Sequence, residues 1–343
     1  MRTIEWKDGV VVTIDQTKLP NKLEHFEIKT CDEMADAIKS MKIRGAPLLG
    51  VAAAYGLALT AHNSKARTRE ELLKEIEFSA ALLRKTRPTA VNLFWAINRI
   101  LEKAKKTSGD VHYVTRTIVQ EAQQMAKGDA EANRKIGENG AKLIEDGDTI
   151  LTHCNAGSLA TVEYGTALAV VRVAVEQGKR IRVFATETRP KLQGARLTAF
   201  ELKHDKIPVT LITDSMVGYV MSKHLVNKAI VGADRIVKDA VINKIGTFTV
   251  AVLAHEHGIP FYVAAPKSTF DSTKVSNEVT IEERSSEEVT YCGGQKTAPD
   301  GISVLNPAFD ITPLKYVKAI ICESGVLSVA EFRKLSADSV KNY

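Results

Sequence analysis

The chain has 343 residues, 44% of them hydrophobic and 26% charged, which is the balance of an ordinary folded protein and excludes a disordered or fibrous one. Lys and Arg total 47 against 41 Asp and Glu, giving a net charge of +6. The excess is scattered, with no run of five or six basic residues such as a nucleic-acid-binding arm would carry.

The opening Met1-Arg2-Thr3-Ile4-Glu5-Trp6-Lys7-Asp8 is too charged for the core of a signal peptide. No apolar run reaches the roughly 18 residues of a membrane span. Cys31, Cys154, Cys292 and Cys322 lie far apart, without the paired spacing of a disulfide framework or zinc ribbon. A reduced, cytoplasmic protein is expected, with no membrane or nucleic-acid partner.

Taken in chain order, residues 2–6 and 10–14 are β-rich and flank Lys7-Asp8-Gly9, a hairpin signal. After Pro20 the pattern turns helical. Apolar residues recur at three- and four-residue spacings near 32–41, 47–61, 70–85, 91–106 and 111–144. Pro47 suits a first helical turn, where its missing N–H is not needed. Past Asp146-Gly147-Asp148 short apolar runs appear at 149–152, 181–185, 209–212, 229–232 and 261–265. Helical stretches near 159–176, 191–203, 215–223 and 248–257 separate them. This alternation predicts a parallel sheet with helices on both faces. The expected fold is therefore α/β: a small, mostly helical N-terminal domain over 1–125 with a β-hairpin, then a Rossmann-like doubly wound domain over 126–343.

Ligands of such sheets bind beyond the carboxyl ends of the strands, near the point where strand order reverses. The first strand there leads into His153-Cys154-Asn155-Ala156-Gly157-Ser158, the second into Thr186-Glu187-Thr188-Arg189-Pro190, the third into Thr213-Asp214-Ser215 and the fourth into Ala233-Asp234-Arg235. Cys154 precedes a predicted helix start, where amide groups and the helix dipole lower a thiol pKa. By position alone it reads more readily as a small buried strand-end residue, and Asp234 equally as a cap. Arg44-Gly45-Ala46-Pro47 and Arg87-Pro88-Thr89 each set an Arg before a helix N-terminus, which suits a phosphate, although an Arg so placed is more often simply solvated. Asn243-Lys244, beginning nine residues past Asp234, brings an ammonium within reach of the same end of the sheet. Neither the P-loop pattern nor the dinucleotide fingerprint occurs. His255 and His257, two apart on a helix, do not share a face and read as surface.

The chain carries Arg44-Gly45-Ala46-Pro47, Arg87-Pro88-Thr89-Ala90-Val91-Asn92-Leu93, Thr152-His153-Cys154-Asn155-Ala156-Gly157, the run from Glu187 to Thr198, Gly232-Ala233-Asp234-Arg235, Asn243-Lys244-Ile245-Gly246-Thr247 and Asn306-Pro307-Ala308-Phe309-Asp310. Together these motifs resemble the methylthioribose-1-phosphate isomerase family, within the group that also holds ribose-1,5-bisphosphate isomerases and regulatory subunits of the translation initiation factor 2B exchange factor. The resemblance runs in order from about residue 1 to about residue 325. It implies Cys154 and Asp234 as the catalytic pair and substrate contacts from Arg44, Gly45, Ala46, Arg87, Gln193, Asn243 and Lys244. It implies conversion of 5-methylthioribose 1-phosphate to its ketose, a step of methionine salvage, by a homodimer with no metal and no cofactor. Between Asp234 and Asn243 this chain is one residue shorter than the family pattern and lacks its Asn-Gly turn. The alternatives are 5-deoxyribose 1-phosphate or ribose 1,5-bisphosphate as the sugar, or a factor-2B-like binding protein without turnover.

Overall fold

The computed structural model describes residues 1–87 and 89–341, with side chains through Leu335. The chain forms two compact units. The first holds Met1–Arg134 and Gly157–Gly165, and the second holds Lys135–Ala156 and the chain from Thr166 onward.

In the first unit β1 (Ile4–Lys7), β2 (Val10–Ile14) and β3 (His25–Ile28) form an antiparallel sheet in that order. The expected hairpin is present. Asp8 and Gly9 both stand at positive φ, the conformation that matches a two-residue turn to twisted strands. Five helices follow: α1 (Cys31–Lys39), α2 (Ala46–Asn63), α3 (Arg69–Arg84), α4 (Val91–Lys106) and α5 (Val111–Ala141). Thr30 with Glu33, and Thr68 with Glu71, form reciprocal capping boxes that start α1 and α3. Apolar all round, α2 is buried on every face as such a helix must be. Leu48, Ala52, Tyr55 and Leu59 of α2 pack with Ile38, Leu72, Ile76, Leu93, Ile97 and Ile118 from the helices around it.

The second unit takes up β4 (Thr149–Thr152), α6 (Ala167–Glu176), β5 (Arg182–Thr186), α7 (Ala199–His204), β6 (Val209–Ile212) and α8 (Val217–Ser222). Next come β7 (Lys228–Val231), β8 (Arg235–Val237), β9 (Ala240–Lys244), α9 (Thr247–Glu256) and β10 (Phe261–Ala264). The remainder is β11 (Phe270–Asp271), α10 (Glu287–Thr290), β12 (Tyr291–Cys292), β13 (Gln295–Lys296), β14 (Phe309–Pro313), β15 (Ala319–Cys322), β16 (Gly325–Leu327) and α11 (Val329–Lys341).

Its main sheet has the order β16-β15-β10-β7-β4-β5-β6, parallel throughout except for β16 at one edge. Neighbouring residues along the central strands face opposite cores. Leu151, Ala229, Val231, Val263 and Ile320 pack with α8 and α9, while Ile150, Ile230, Tyr262 and Ile321 pack with α6 and Leu202 of α7. This is the doubly wound α/β arrangement expected from the sequence. Ile320, Ile321 and Phe332 all lie in the core.

Some expectations are corrected. The helix predicted from Leu159 begins only at Ala167; residues 158–160 make a single 3-10 turn, and Tyr164 and Gly165 at positive φ break the pattern. The helix predicted over 191–203 opens as a π turn, Gly194–Thr198, before α7. A second sheet, β11-β8-β9-β14, was not expected at all. Its β8–β9 hairpin closes on Lys238-Asp239, so a two-residue turn forms here without an Asn-Gly pair.

Candidate active site

Strand β4 starts the sheet near its middle; the chain then winds outward through β5 to β6, returns to β7 on the other side of β4, and winds away. The order reverses between β4 and β7, which pair directly, Leu151 opposite Ala229. Cys154 lies two residues beyond β4 and Asp234 three beyond β7. Both therefore stand at the carboxyl ends of the two strands that flank the reversal. The loops approach closely: a Cβ on Gly232 would stand 2.8 Å from the Cβ of Ala156.

Cys154 is buried, 9% exposed, and adopts φ +62°. For a residue with a Cβ this left-handed conformation costs on the order of 1–3 kcal/mol and persists only where its surroundings fix it. Its N–H donates to Thr188 Oγ1 at 2.9 Å, and its carbonyl accepts from Thr198 Oγ1 at 2.6 Å. Because only a single 3-10 turn precedes the α-helix at Ala167, the helix-dipole argument for a lowered thiol pKa does not hold for this cysteine. Asn155 Nδ2 donates to Thr198 Oγ1 at 3.1 Å and to Glu201 Oε1 at 2.8 Å. Glu201 is wholly buried and meets Arg172 at 2.8 Å, which in turn reaches Asp205.

His153 stands between the β4 and β9 loops. Its Nε2 lies 2.8 Å from the Ile245 carbonyl and its Nδ1 lies 2.7 Å from Thr186 Oγ1. A carbonyl can only accept, so Nε2 carries the proton and Nδ1 of the neutral ring accepts from Thr186. Burial pushes the imidazole pKa below its ordinary value; the Ile245 carbonyl and Asp214 pull it back in part, and Lys244 adds to the lowering. Gly246, at φ +101°, leaves the ring room, since a Cβ there would stand 2.9 Å from His153 Cε1.

Asp234 donates its N–H to the Ile242 carbonyl at 3.0 Å, which ties the β7 loop to β9. At the end of β9, Asn243 Nδ2 donates to Thr247 Oγ1 at 2.9 Å. The Lys244 ammonium donates to the Ala308 carbonyl at 2.7 Å and sits 4.5 Å from the centre of the Phe309 ring. Asp310 accepts the N–H groups of Gly246 and Phe248 at the start of α9. Burial raises its pKa to about 6 against the lowering effect of those amides and Lys244. Gln193 precedes the π turn after β5. Only 4% exposed, it has an Oε1 without a hydrogen-bond partner. A buried acceptor of this kind costs about 1–3 kcal/mol until something donates to it.

The remaining sequence-predicted residues belong to the first unit. Gly45 takes φ +102° as the N-cap of α2, and a Cβ on it would stand 2.4 Å from Ala160 Cα. Arg44 is buried beside it, and Ala46 opens the helix. Arg87 precedes α4, and Pro88 of its motif lies outside the described residues. A Cβ on Gly50 would stand 3.0 Å from the Asn92 carbonyl, so the first turns of α2 and α4 lie side by side. Two Arg-flanked helix N-termini thus adjoin in this unit.

A cavity of about 550 Å³ opens beside the β5 loop, lined in part by Arg189, Lys191, Arg196, Glu288, Tyr291 and Cys292. It holds none of the predicted site residues. Arg189 donates to the Val289 carbonyl, and Lys191 pairs with Glu288 at 3.5 Å. Among the described residues no three His, Cys, Asp or Glu side chains gather as a metal ion requires, and no helix is long and apolar enough to cross a membrane.

The model of the initiation factor 2 subunit family matches residues 42–329. The chain belongs to that family. Within it, the methylthioribose-1-phosphate isomerase of Thermosipho africanus is 53% identical over 327 residues, 95% of this chain and 94% of that one. The structure of 5-methylthioribose 1-phosphate isomerase from Pyrococcus horikoshii OT3 is similar with a TM-score of 0.91 and 47% identity, covering 99% of this chain and 96% of the other. A structure described as the delta subunit of translation initiation factor eIF-2B from A. fulgidus is similar with a TM-score of 0.88 and 55% identity, covering 98% and 99%.

The structure adds buried polar contacts around Cys154, His153 and the start of α9 that sequence patterns do not single out, from Thr186, Thr188, Thr198, Glu201 and Asp310. Asp214, noted only as a strand end, accepts the N–H groups of Thr188 and Arg189 at 2.8 and 2.7 Å. All but Glu201 lie inside stretches already marked by motif or strand end. A hydroxyl's partner is set by the fold, so its role could not be read from those stretches.

Proposed function

We propose that this protein is an aldose–ketose isomerase that converts 5-methylthioribose 1-phosphate to 5-methylthioribulose 1-phosphate, with Asp234 and Cys154 doing the chemistry. The observation that carries the reading is that this cysteine and this aspartate stand just past the two strands flanking the reversal of the sheet, in a chain 53% identical to a relative bearing that isomerase's name. A factor 2B regulatory subunit has no use for the pair.

The C1 oxygen of the substrate is esterified, so the ring cannot open as a free hemiacetal does. Asp234, holding its proton, gives it to the ring oxygen as the bond from C1 to that oxygen breaks. Hydrogen then moves from C2 to C1, and the C2 hydroxyl becomes the carbonyl as its proton passes to the Asp234 carboxylate, which restores the acid. In one route the Cys154 thiolate takes the C2 proton and returns it to C1 through an enediol-type intermediate. In the other, hydride passes directly from C2 to C1 and Cys154 stabilises the developing charge. Wash-out of deuterium from C2 into solvent would eliminate a pure hydride shift.

Arg44 and Arg87 bind the phosphate through planar, bidentate guanidinium contacts, with Gly45 and Ala46 supplying amide groups at the head of α2. Lys244 adds a point charge. Gln193 and Asn243 hold sugar hydroxyls, and the Gln193 acceptor gains the donor it lacks. Arg87→Ala is expected to raise KM about tenfold or more while leaving kcat within about threefold, in line with the loss of a charged hydrogen bond.

The deciding experiment is phosphorus and proton NMR of the purified protein with 5-methylthioribose 1-phosphate in the presence of chelator. Conversion to the ketose that is lost in Cys154→Ser and Asp234→Asn supports the reading. No conversion of this sugar, of 5-deoxyribose 1-phosphate or of ribose 1,5-bisphosphate would overturn it in favour of a binding protein.

A further inference from the structure

Cys154 is not the only strained residue at the end of β4. Thr188, which accepts its N–H, stands at φ +65°, a conformation that β-branched residues avoid strongly. Thr188 is held by Asp214, whose Oδ1 takes the Thr188 N–H while Oδ2 takes that of Arg189. On the other side the single hydroxyl proton of Thr198 goes to the Cys154 carbonyl at 2.6 Å. Its oxygen therefore receives the Asn155 amide, whose second proton goes to the buried Glu201. Both threonine side chains are wholly buried. Each polar end of the Cys154 residue thus meets a threonine hydroxyl, and each threonine is anchored to an acidic side chain.

A glycine at 154 would adopt this backbone without strain. The chain instead keeps a Cβ and a thiol there, and spends two buried hydroxyls to hold them.

We propose that Thr188 and Thr198 are positioning residues of the isomerase, clamping the Cys154 residue in its left-handed conformation and so fixing the direction of its thiol. The proposal rests on the reading of Cys154 as the group that acts at C2. Neither threonine touches the reacting atoms; both act through Cys154. Thr186 extends the clamp toward His153, its hydroxyl 3.3 Å from that of Thr188.

The test uses Thr188→Val and Thr198→Val, which keep shape and remove the hydroxyl, beside Thr188→Ser and Thr198→Ser, which keep it. Steady-state kcat and KM with 5-methylthioribose 1-phosphate are measured with the rate at which iodoacetamide alkylates Cys154, followed on its peptide by mass spectrometry. The valine variants are expected to lose at least tenfold in kcat with KM within about threefold, and to change the alkylation rate at least threefold. The serine variants are expected to recover both. Valine variants with the wild-type kcat and alkylation rate would overturn the clamp, and so would serine variants as impaired as the valines. If a valine variant melts too early to assay, the alanine variant at lower temperature carries the same expectation. Cys154→Ser, run alongside, separates the two ideas. Turnover surviving in Cys154→Ser defeats the role given to the cysteine. An inactive Cys154→Ser with fully active valine variants defeats only the clamp. Alkylation needs no substrate and reads the clamp even if the sugar is wrong.

Discussion

At the scale of single residues, close approaches and buried rings set the tolerances of this protein. Gly232 lets the loop after β7 lie against the loop after β4, with room for no Cβ. Gly232→Ala is expected to drive the two loops apart by a fraction of an ångström. Misplacement of that order lowers kcat by about 10- to 100-fold, while the overpacking costs about 1–3 kcal/mol of stability. Steady-state kinetics beside urea denaturation would check both, and an active variant of normal stability would contradict the contact. His153 makes a second case. Its folded pKa lies below the ordinary imidazole value of 6.5, so the folded state resists protonation more than the unfolded chain does. Its contribution to stability is whole above about 6.5 and is lost as pH falls toward its lower folded value. The partners facing it are Thr186, the Ile245 carbonyl, Asp214 at 4.0 Å and Lys244. The melting temperature of the wild type should drop from pH 7.5 to pH 5.5 by more than that of His153→Gln. Equal drops would mean that the ring does not titrate as described.

At the scale of elements, the helices show where local sequence alone decides. Gly128 lies inside α5 with open space where a Cβ would go and no unusual φ. Gly128→Ala should therefore stabilise the protein by about 0.5–1 kcal/mol through helix propensity. Thermal denaturation reads this directly; no gain would point to a contact at that surface. The same local logic explains what could be read from the chain. Strands β4 and β6 and helix α4 match their sequence-predicted limits because apolar pattern and flanking turns agree there. The sheet β11-β8-β9-β14 is not legible in the sequence because β14 joins β9 from some 65 residues downstream and β11 and β8 have only two and three residues. No periodicity is measurable over such lengths. Residues 158–165 failed for a different reason. Their apolar spacing suits a helix, yet the Thr3 hydroxyl and Gln16 amide bond to the carbonyls of Ser158 and Leu159, while Asp129 takes the Val162 N–H. Tertiary partners outweighed propensity. At the site, motif and strand-end rules brought out Cys154 and Asp234, whereas the left-handed turn at Cys154 and the hydroxyls that hold it depend on residues 34 and 44 positions away.

At the scale of the whole molecule, the placement of Cys154 and Asp234 follows from winding order more than from any one loop. A parallel sheet that starts in its middle must leave two neighbouring strands whose following segments turn to opposite faces, and that is where a crevice opens. The seven-stranded sheet then fixes the two loops against one another through the β4–β7 pairing, buried between cores on both faces. Long connections elsewhere are free of that constraint. After β11 has paired with β8, the chain makes the small hairpin of β12 and β13 and rejoins the body at the buried Asn306. From Tyr291 to Ser303 it is exposed except at the half-buried Ala298, with Gly293, Gly294 and Gly301 at positive φ and open space where a Cβ would stand. Beyond it, β14 pairs with β9 over five residues, Asp310 binds two amides of α9, and β15 lies beside β10. A protease admitted at low dose should therefore cut this stretch first. The two pieces should still elute together under native conditions and part only in denaturant, so that the protein behaves as a pair of complementing fragments once its outermost loop is cut.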